Sequence, residues 1–195
     1  MANRTKDSVT PSLPARDVPP GLLVIVRSFV FAVVYYIVTA LFLLLGSWLL
    51  FAPRLWAMKG LALHAATATW LLDKICGTKL EVRGRENLPA EAFLVVSKHQ
   101  WRWDKLAVLP RLHDPAIVLK DELKYIPLYG WFCVKFEHIL VKRDRAAVAL
   151  KAMLKDAKDR AAEGRHILIF PEGTRSAPGA APDYKPGYVA LYESL

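Results

Sequence analysis

The stretch FLVVSKHQWRWD, residues 93–104, places a short apolar run directly before a histidine and an acid that stand five positions apart. The run at residues 93–97 is rich in branched and aromatic side chains, which is typical of a buried strand. On a regular helix, five residues turn through about 500°, so His99 and Asp104 would point about 140° apart and could not meet. The stretch therefore predicts a strand, a turn that carries His99, and a helix that begins near Asp104.

Four more apolar runs surround this one, and helical stretches separate them. They are residues 80–83, 116–119, 138–141 and 166–170. The segment 145–163 has apolar residues at helical spacing and is followed by Gly164, where a C-terminal cap belongs. The alternation predicts an α/β fold in which helices flank a sheet.

Polar groups follow four of these runs at the point where each run ends. They are Lys98-His99, Lys120, Lys142-Arg143 and residues 171–175. In open α/β sheets, ligands bind outside the carboxyl ends of the strands, where the loops of neighbouring strands converge. We therefore expect these groups to meet at one edge of the sheet.

The residue types at this edge suit acyl transfer to an acceptor that carries a phosphate. A carboxylate at Asp104 that accepts the Nδ1 proton of His99 fixes the tautomer and leaves Nε2 free as a base. In FPEGTRS, residues 170–176, Gly173 permits close backbone approach and Arg175 can donate two hydrogen bonds to a phosphate. The residues alone leave open two plainer interpretations, a surface pair without a role and a polar turn with a salt-bridged Arg175.

The N-terminal third of the chain is apolar enough for a membrane. Residues 28–52 contain no charge and are bounded by Arg27 and Arg54, while about 20 apolar residues suffice to cross a bilayer. Residues 55–72 are also mostly apolar but contain a lysine and a histidine, which suits a helix against the membrane or on the first helix, or a core helix. We expect either a spanning helix or a helical hairpin in one leaflet.

The chain is thus predicted to have three regions, residues 1–20, 21–75 and 79–195. The first is polar and rich in proline, which predicts a flexible tail. The second is the expected membrane anchor, with helices at 28–52 and about 55–72. The third is large enough for one catalytic domain and no more.

The net charge of +9 suits either nucleic acid or an anionic lipid surface, because both present dense phosphate. No run of five basic residues occurs, and the aromatic residues cluster in apolar runs, so nucleic acid is not an expected partner. Membrane lipid is. Cys76 and Cys133 lack metal-ligand spacing, which predicts buried free thiols in a reducing compartment.

These motifs together resemble the glycerolipid acyltransferase family, and within it the lysophosphatidic acid acyltransferases. His99 and Asp104 fall on the family signature of a histidine, four residues and an acid. The other similar segments are residues 120–131, Arg143, residues 170–176 and residues 185–187. The resemblance covers about residues 80–190 in the family order.

The resemblance implies transfer of a fatty acyl chain from acyl-CoA or acyl-carrier-protein to the free hydroxyl of 1-acyl-glycerol-3-phosphate, giving phosphatidic acid. It implies no metal and no cofactor beyond that co-substrate. His99 is then the general base and Asp104 its orienting partner, with backbone N–H groups near His99 or Gly173 as candidates for stabilising the oxyanion. The residues expected to bind substrate are Arg143, Glu172, Gly173, Thr174, Arg175 and Lys120. A thioester donor places the domain on the cytosolic face of a membrane, for which we expect the bacterial cytoplasmic membrane.

Two departures from the family pattern bear on activity. Lys98 stands where the family often has Asn, and residues 101–103 are bulky, so that Trp101 and Trp103 are expected in the core or at a lipid interface. The sequence also stops at Leu195, before the further apolar strand of the family, which suggests a truncated domain.

Three rival functions follow from these observations. The first is acyl transfer to another lysolipid, and the second is an inactive, membrane-bound lipid-binding homologue. The third is a metal-dependent phosphoesterase that uses His99, Asp104 and Glu172, although no further ligand has the usual spacing.

Overall fold

The structure of the chain is a computed structural model, and it describes residues 20–101, 103–142, 146–177 and 179–195. Its helices are α1 (Leu22–Leu45), α2 (Arg54–Cys76), α3 (Trp103–Val108), α4 (Tyr129–Lys135), α5 (Ala146–Ala162) and α6 (Gly187–Ser194). Its strands are β1 (Leu94–Val96), β2 (Ala116–Lys120), β3 (Ile139–Val141) and β4 (Ile167–Ile169). Short 3-10 helices lie at Ser47–Leu50, Arg85–Asn87, Leu109–Arg111 and Asp121–Tyr125.

The four strands form one parallel sheet in the order β1-β4-β2-β3. Because every strand runs the same way, all four carboxyl ends lie on one edge, as the sequence predicted. The predicted α/β class is confirmed. Apart from Lys120 at the end of β2, the strands are apolar, because helices cover both faces of the sheet.

The two faces of the sheet are covered by different helices. Side chains alternate along β4, so that Ile167 and Ile169 face α5 and α6 while Leu168 faces the opposite layer. The opposite layer contains Leu61 of α2 and Cys133 of α4. Helix α2, which the sequence assigned to the membrane anchor, is therefore also a core helix of the α/β domain.

Helices α1 and α2 form an antiparallel hairpin. Thr39 Oγ1 lies 3.0 Å from His64 Nε2 near the middle of the hairpin, and the Cys76 thiol lies 3.7 Å from the Arg27 carbonyl at its open end. Helix α2 ends at Gly77, whose φ of 70° is the left-handed conformation that a glycine cap adopts at little cost.

Several boundaries differ from the prediction. The predicted helix 28–52 is α1 at Leu22–Leu45, because the single charge of Arg27 near one end does not interrupt it and Gly46 ends it. The predicted helix 55–72 is extended at both ends as α2, and the predicted helix 145–163 is α5. Residues 1–19 of the predicted tail lie outside the described residues.

One predicted strand is wrong. Residues 80–83 form no strand, and Glu81, Val82 and Arg83 are exposed. The alternation of Leu80 and Val82 with Glu81 and Arg83 suits a strand, but no described strand pairs with this segment. The Arg83 guanidinium lies 2.6 Å from the Glu81 carboxylate instead. The other four predicted strands are confirmed as β1 to β4 within one or two residues at either end.

Candidate active site

The segment from β1 to α3 is the predicted strand-to-helix turn. Strand β1 ends at Val96, the turn carries His99, and Asp104 lies in the first turn of α3. His99 Nδ1 lies 3.1 Å from Asp104 Oδ2. Because a carboxylate only accepts hydrogen bonds, Nδ1 carries the proton in this contact and Nε2 remains free to act as a base. The predicted geometry of the pair is confirmed.

Asp104 holds the turn as well as the imidazole. The same Oδ2 atom accepts hydrogen bonds from the backbone N–H groups of Gln100 at 2.6 Å and Trp101 at 2.8 Å. On its other side, the His99 ring packs on Phe170 with 4.6 Å between the ring centroids. The imidazole is therefore fixed by the acid, by the turn and by the end of β4.

The loop after β4 is bonded directly to the backbone of His99. The Ser176 N–H donates to the His99 carbonyl at 2.8 Å, and the Ser176 hydroxyl lies 3.3 Å from that oxygen. Glu172 Oε2 accepts from the Ser176 hydroxyl at 2.6 Å and from the His99 N–H at 3.4 Å. The two predicted motifs are thus joined through Ser176, which the sequence did not mark beyond its place at the end of the second motif.

Glu172 was predicted to bind substrate, and the structure places it elsewhere. The residue is only 2% exposed, and its carboxylate lies in the wall between the two loops. Its second oxygen, Oε1, is buried without a hydrogen-bond partner among the described residues. A buried carboxylate that already receives two donors is not placed to bind a phosphate, so Glu172 lies in the support of the His99 turn and not in the expected substrate site.

The structure narrows the expectation for the oxyanion, because the N–H groups of His99 and Gly173 are themselves engaged. The His99 N–H is directed to Glu172, and the Gly173 N–H donates to the Phe170 carbonyl at 3.0 Å. Gly173 has a φ of 64°, which favours glycine at this turn. Neither of the two N–H groups is therefore free to stabilise an oxyanion in this arrangement.

The predicted phosphate-binding residues that the structure describes lie on exposed parts of the carboxyl edge. Thr174 and Arg175 are exposed on the loop after β4, and Lys120 is exposed at the end of β2. Within the described residues, neither Arg175 nor Lys120 has an acidic partner within 4.0 Å, so both cations are available to an anion. Arg143 lies outside the described residues.

The residues that depart from the family pattern have different surroundings. The Lys98 amino group donates to the Ala180 carbonyl at 3.1 Å, so Lys98 fastens the turn to the later loop. Trp101 is exposed, whereas the Trp103 indole nitrogen is buried and has no partner among the described residues. Trp103 is therefore partly buried, whereas Trp101 faces outward.

The opposite edge of the sheet carries a charge network that the sequence did not predict. Arg165, just before β4, is 1% exposed and donates to the Phe136 carbonyl at 2.8 Å and the Asp114 carbonyl at 3.2 Å. Arg54, at the start of α2, bonds to the Asp114 carboxylate at 2.5 Å. Although burial opposes it, the Arg54 hydrogen bond and the nearby Arg165 charge lower the pKa of Asp114. This network ties the hairpin to the sheet.

His138 lies at the same amino edge, just before β3. Its Nδ1 atom accepts the Ile117 N–H at 3.3 Å, which requires the neutral ring. Burial of the ring and the neighbouring Arg165 charge lower the pKa of His138 to about 3. His138 is therefore a neutral structural residue at physiological pH.

Neither the thiols nor a metal centre offers another chemistry in the described part of the chain. Burial raises the pKa of the Cys133 thiol to about 11, and Cys133 is buried as predicted, whereas Cys76 is partly exposed. Among the described residues, no three His, Cys, Asp or Glu side chains are grouped so that they could hold a metal ion. The ligand set that a metal-dependent phosphoesterase requires is not found there.

A scan of protein families matches residues 79–195 to the family described as Acyltransferase. The chain is 36% identical over 124 residues to the 1-acyl-sn-glycerol-3-phosphate acyltransferase of Pseudomonas aeruginosa, which covers 64% of this chain and 48% of that protein. It is 30% identical over 108 residues to the Saccharomyces cerevisiae protein of the same name, covering 54% and 35%. The chain thus spans about half or less of the length of these relatives.

A solved structure has the same fold. The crystal structure of the 1-acyl-sn-glycerophosphate acyltransferase from Thermotoga maritima matches with a TM-score of 0.67, covering 86% of this chain and 70% of that chain. The sequence identity is 24%, so this likeness concerns the fold alone.

Proposed function

Because the chain belongs to the acyltransferase family, whose model spans residues 79–195, we propose that it acylates the free hydroxyl of 1-acyl-glycerol-3-phosphate to give phosphatidic acid. The donor in this proposal is a fatty acyl thioester of CoA or of acyl-carrier-protein. The observation that carries the proposal is the His99–Asp104 pair, held on a turn that is bonded to the loop carrying Arg175. The names of the relatives support the choice of acceptor.

In the proposed reaction, His99 Nε2 takes the proton of the acceptor hydroxyl as its oxygen attacks the thioester carbonyl. Asp104 stabilises the imidazolium that forms and keeps the ring in place. The tetrahedral intermediate then collapses, the carbon–sulfur bond breaks, and the imidazolium returns its proton to the departing thiolate. The products are the ester and the free thiol.

The acceptor phosphate has candidate partners beside this base. Arg175 follows Thr174 and precedes Ser176, whose N–H is bonded to the His99 carbonyl, so the guanidinium starts from a fixed point near the base. A guanidinium can donate two parallel hydrogen bonds to a phosphate, which fixes orientation as well as charge. In the proposal, Arg175 is the main phosphate ligand, and Thr174, Lys120 and Arg143 assist it.

We further propose that the hairpin lies within one leaflet instead of spanning the bilayer. By length and composition, α1 is the single described helix that could cross a membrane. Its 24 residues measure about 36 Å, close to the thickness of the hydrocarbon core. However, α1 lies against α2 from the Arg27 end to the Leu43 end. Helix α2 in turn packs on the α/β domain at Ala57, Ala65 and Ala68.

This packing sets the depth of α1 relative to the domain. Because α1 runs along α2, and α2 packs on the α/β domain from Ala57 to Ala68, an upright α1 would carry the polar domain toward the hydrocarbon core. A hairpin that lies in the plane of the interface avoids that cost, with the exposed apolar side of α1 turned toward lipid. The thioester donors place this leaflet on the cytosolic side, and the bacterial relative favours the bacterial cytoplasmic membrane.

The test is acyl transfer by the full chain in phospholipid vesicles. A panel of acyl-CoA and acyl-carrier-protein donors is combined with lysophosphatidate, glycerol 3-phosphate and neutral lysolipids. We expect phosphatidic acid from lysophosphatidate, and we expect His99→Ala to abolish it while His113→Ala, an exposed histidine before β2, leaves the rate unchanged.

Two results would contradict the proposal. Lysolipid binding by the folded protein without turnover from any donor would favour the lipid-binding alternative. Faster acylation of a different lysolipid would keep the enzyme class and change the acceptor.

A further inference from the structure

Helix α4 has an inner face that is fastened to the tip of the hairpin. Phe132 and Phe136 stack with 5.6 Å between ring centroids, and both are buried against Ala57 of α2. Leu49 and Leu50, in the loop that joins α1 to α2, pack on the same cluster. Helix α4 of the α/β domain and the hairpin tip are therefore parts of one packed unit.

The outer face of α4 is apolar and uncovered by the described residues. Trp131 and Val134, three positions apart and so on the same side of the helix, are each 55% exposed. Tyr125 is 71% exposed and Ile126 is 45% exposed in the segment that leads into the helix. We call these four residues, Tyr125, Ile126, Trp131 and Val134, the α4 apolar face.

The α4 apolar face is held together by a close backbone approach. A Cβ atom at Gly130 would lie 2.2 Å from the Lys124 carbonyl, so only glycine allows α4 to pack this tightly on the preceding 3-10 helix. The Gly130 N–H also donates to the Ile126 carbonyl at 2.7 Å. Tyr125 and Ile126 therefore keep a fixed position relative to Trp131, as a preformed surface requires.

The hairpin tip, which packs on the inner face of α4, has exposed aromatic residues of its own. Phe51 is 92% exposed and Trp48 is also exposed, and both neighbour the two leucines that pack on the inner face of α4. By contrast, the exposed Val148 of α5 is followed on its helix by the exposed charges Lys151 and Lys155, as is usual for a surface in water. The outer face of α4 thus lacks the charged residues that accompany the exposed valine of α5.

We propose that the α4 apolar face is a second membrane-contacting surface, which inserts into the interface of an anionic phospholipid bilayer beside the hairpin. The inference rests on the membrane attachment included in the proposed function. Indole and phenol rings are enriched at this depth of a bilayer. The Lys124 amino group lies 5.0 Å from the Tyr125 ring centroid but is paired with the Asp121 carboxylate at 2.7 Å. Lys135, which ends α4, is therefore the cation at this surface that an anionic headgroup would meet.

Insertion of the α4 apolar face would fix the distance between the carboxyl edge of the sheet and the bilayer. The 3-10 helix Asp121–Tyr125 connects Lys120, at the end of β2, directly to the α4 apolar face. Insertion of this face therefore holds the site edge close to the bilayer surface. A lysolipid can then present its headgroup and hydroxyl at the edge while its acyl chain stays in the membrane.

The primary test adds one indole at a time to the full chain, bound to substrate-free vesicles of phosphatidylcholine and phosphatidylglycerol. Val134→Trp places the added indole on the α4 apolar face, and Val148→Trp is the matched control on α5. With lipids brominated in their acyl chains, we expect the added emission of V134W to fall by about half and that of V148W to stay unchanged, because interfacial indoles reach the upper acyl chains. No catalytic turnover is needed, so this result is independent of whether the acyltransferase proposal holds.

A second measurement removes apolar side chains from the α4 apolar face. The double variant Trp131→Ser with Val134→Ser should dissociate from the same vesicles about tenfold faster or more, because two apolar side chains no longer leave water. Val148→Ser should dissociate like the unchanged protein. Equal quenching of V134W and V148W would overturn the proposal. A V134W signal that responds to protein concentration, with sedimentation showing dimers, would overturn it in favour of contact between copies of the chain.

Discussion

The two edges of the sheet use the same kinds of residues in opposite ways. At the amino edge, Arg165, Arg54 and Asp114 satisfy one another and the nearby backbone, and Arg165 is fully enclosed. At the carboxyl edge, Arg175 and Lys120 are exposed without an acidic partner among the described residues. A cation whose donors are already used stabilises the fold, whereas one whose donors remain free can bind a ligand.

The largest expected effect concerns the acid at the carboxyl edge. Asp104→Asn keeps the size of the side chain but replaces the carboxylate opposite His99 with a neutral amide. The amide can donate a hydrogen bond to Nδ1, which favours the tautomer with the proton on Nε2. We expect kcat to fall by about 10³- to 10⁴-fold with little change in the acceptor KM, as for the acid of other His–Asp pairs. Asp159→Asn, an exposed acid on α5, should leave kcat unchanged.

Two matched arginine variants test whether the cations of the two edges have different roles. Arg165→Leu should cost about 3 to 5 kcal/mol of unfolding free energy, because Asp114 then loses one partner inside the network. Arg175→Leu should leave the melting temperature unchanged and raise the acceptor KM by about 10- to 100-fold. Thermal unfolding and steady-state kinetics on both variants measure this. Equal loss of stability in the two would show that the edges do not differ in this way.

A third variant tests the support of His99 within the carboxyl edge. Ser176 contacts His99 only through the His99 backbone and through Glu172. Ser176→Ala removes the hydroxyl that donates to Glu172 at 2.6 Å. We expect kcat to fall by about tenfold while the acceptor KM changes little, because the base is displaced and the phosphate ligand is kept. Ser176→Thr restores a hydroxyl and should recover most of the rate. A change confined to KM would instead place Ser176 in the acceptor site.

The smallest effect concerns the amino edge and pH. Because the folded-state pKa of His138 is lowered to about 3, the unfolded chain binds a proton at this residue below about pH 6.5 and the folded chain does not. Folding stability should therefore decrease as the pH falls from 6.5 toward 3, by about 1 kcal/mol near pH 6. His138→Asn, which keeps an acceptor for the Ile117 N–H, should reduce this slope in denaturant titrations, and the remainder is expected from His64 and His166, whose pKa values burial also lowers. His113→Asn should retain it.

The features that the sequence could predict are those that depend on neighbouring residues. The strand-to-helix turn follows from the spacing of His99 and Asp104, and the convergence of the loops follows from polar groups placed after apolar runs. Residues 80–83 were misjudged because a short run with β-forming residues carries no information about whether a partner strand exists. The start of α1 was misplaced because one charge was taken as a boundary.

The features that could not be predicted depend on contacts between distant residues. Arg54 meets Asp114 across 60 positions, and nothing local distinguishes either residue from an ordinary surface charge. Glu172 lies in a motif rich in phosphate-binding residues, and only its burial beside Ser176 shows that it faces the protein. The role of α2 could not be predicted either, because its composition fits a membrane anchor and a core helix equally.

The double role of α2 has a consequence for how the protein reaches its membrane. Since α2 contributes to the layer on one face of the sheet and α1 lies against α2, the hairpin is not a detachable anchor. A polypeptide reduced to residues 79–195 would lose Leu61 from the cluster around Leu168 and Ile117. During biosynthesis, the domain therefore cannot complete its core before the hairpin is in place. The hairpin is too apolar to remain exposed to water in the cytosol. Membrane delivery and folding are then one coupled event, and a delay in delivery becomes a delay in folding.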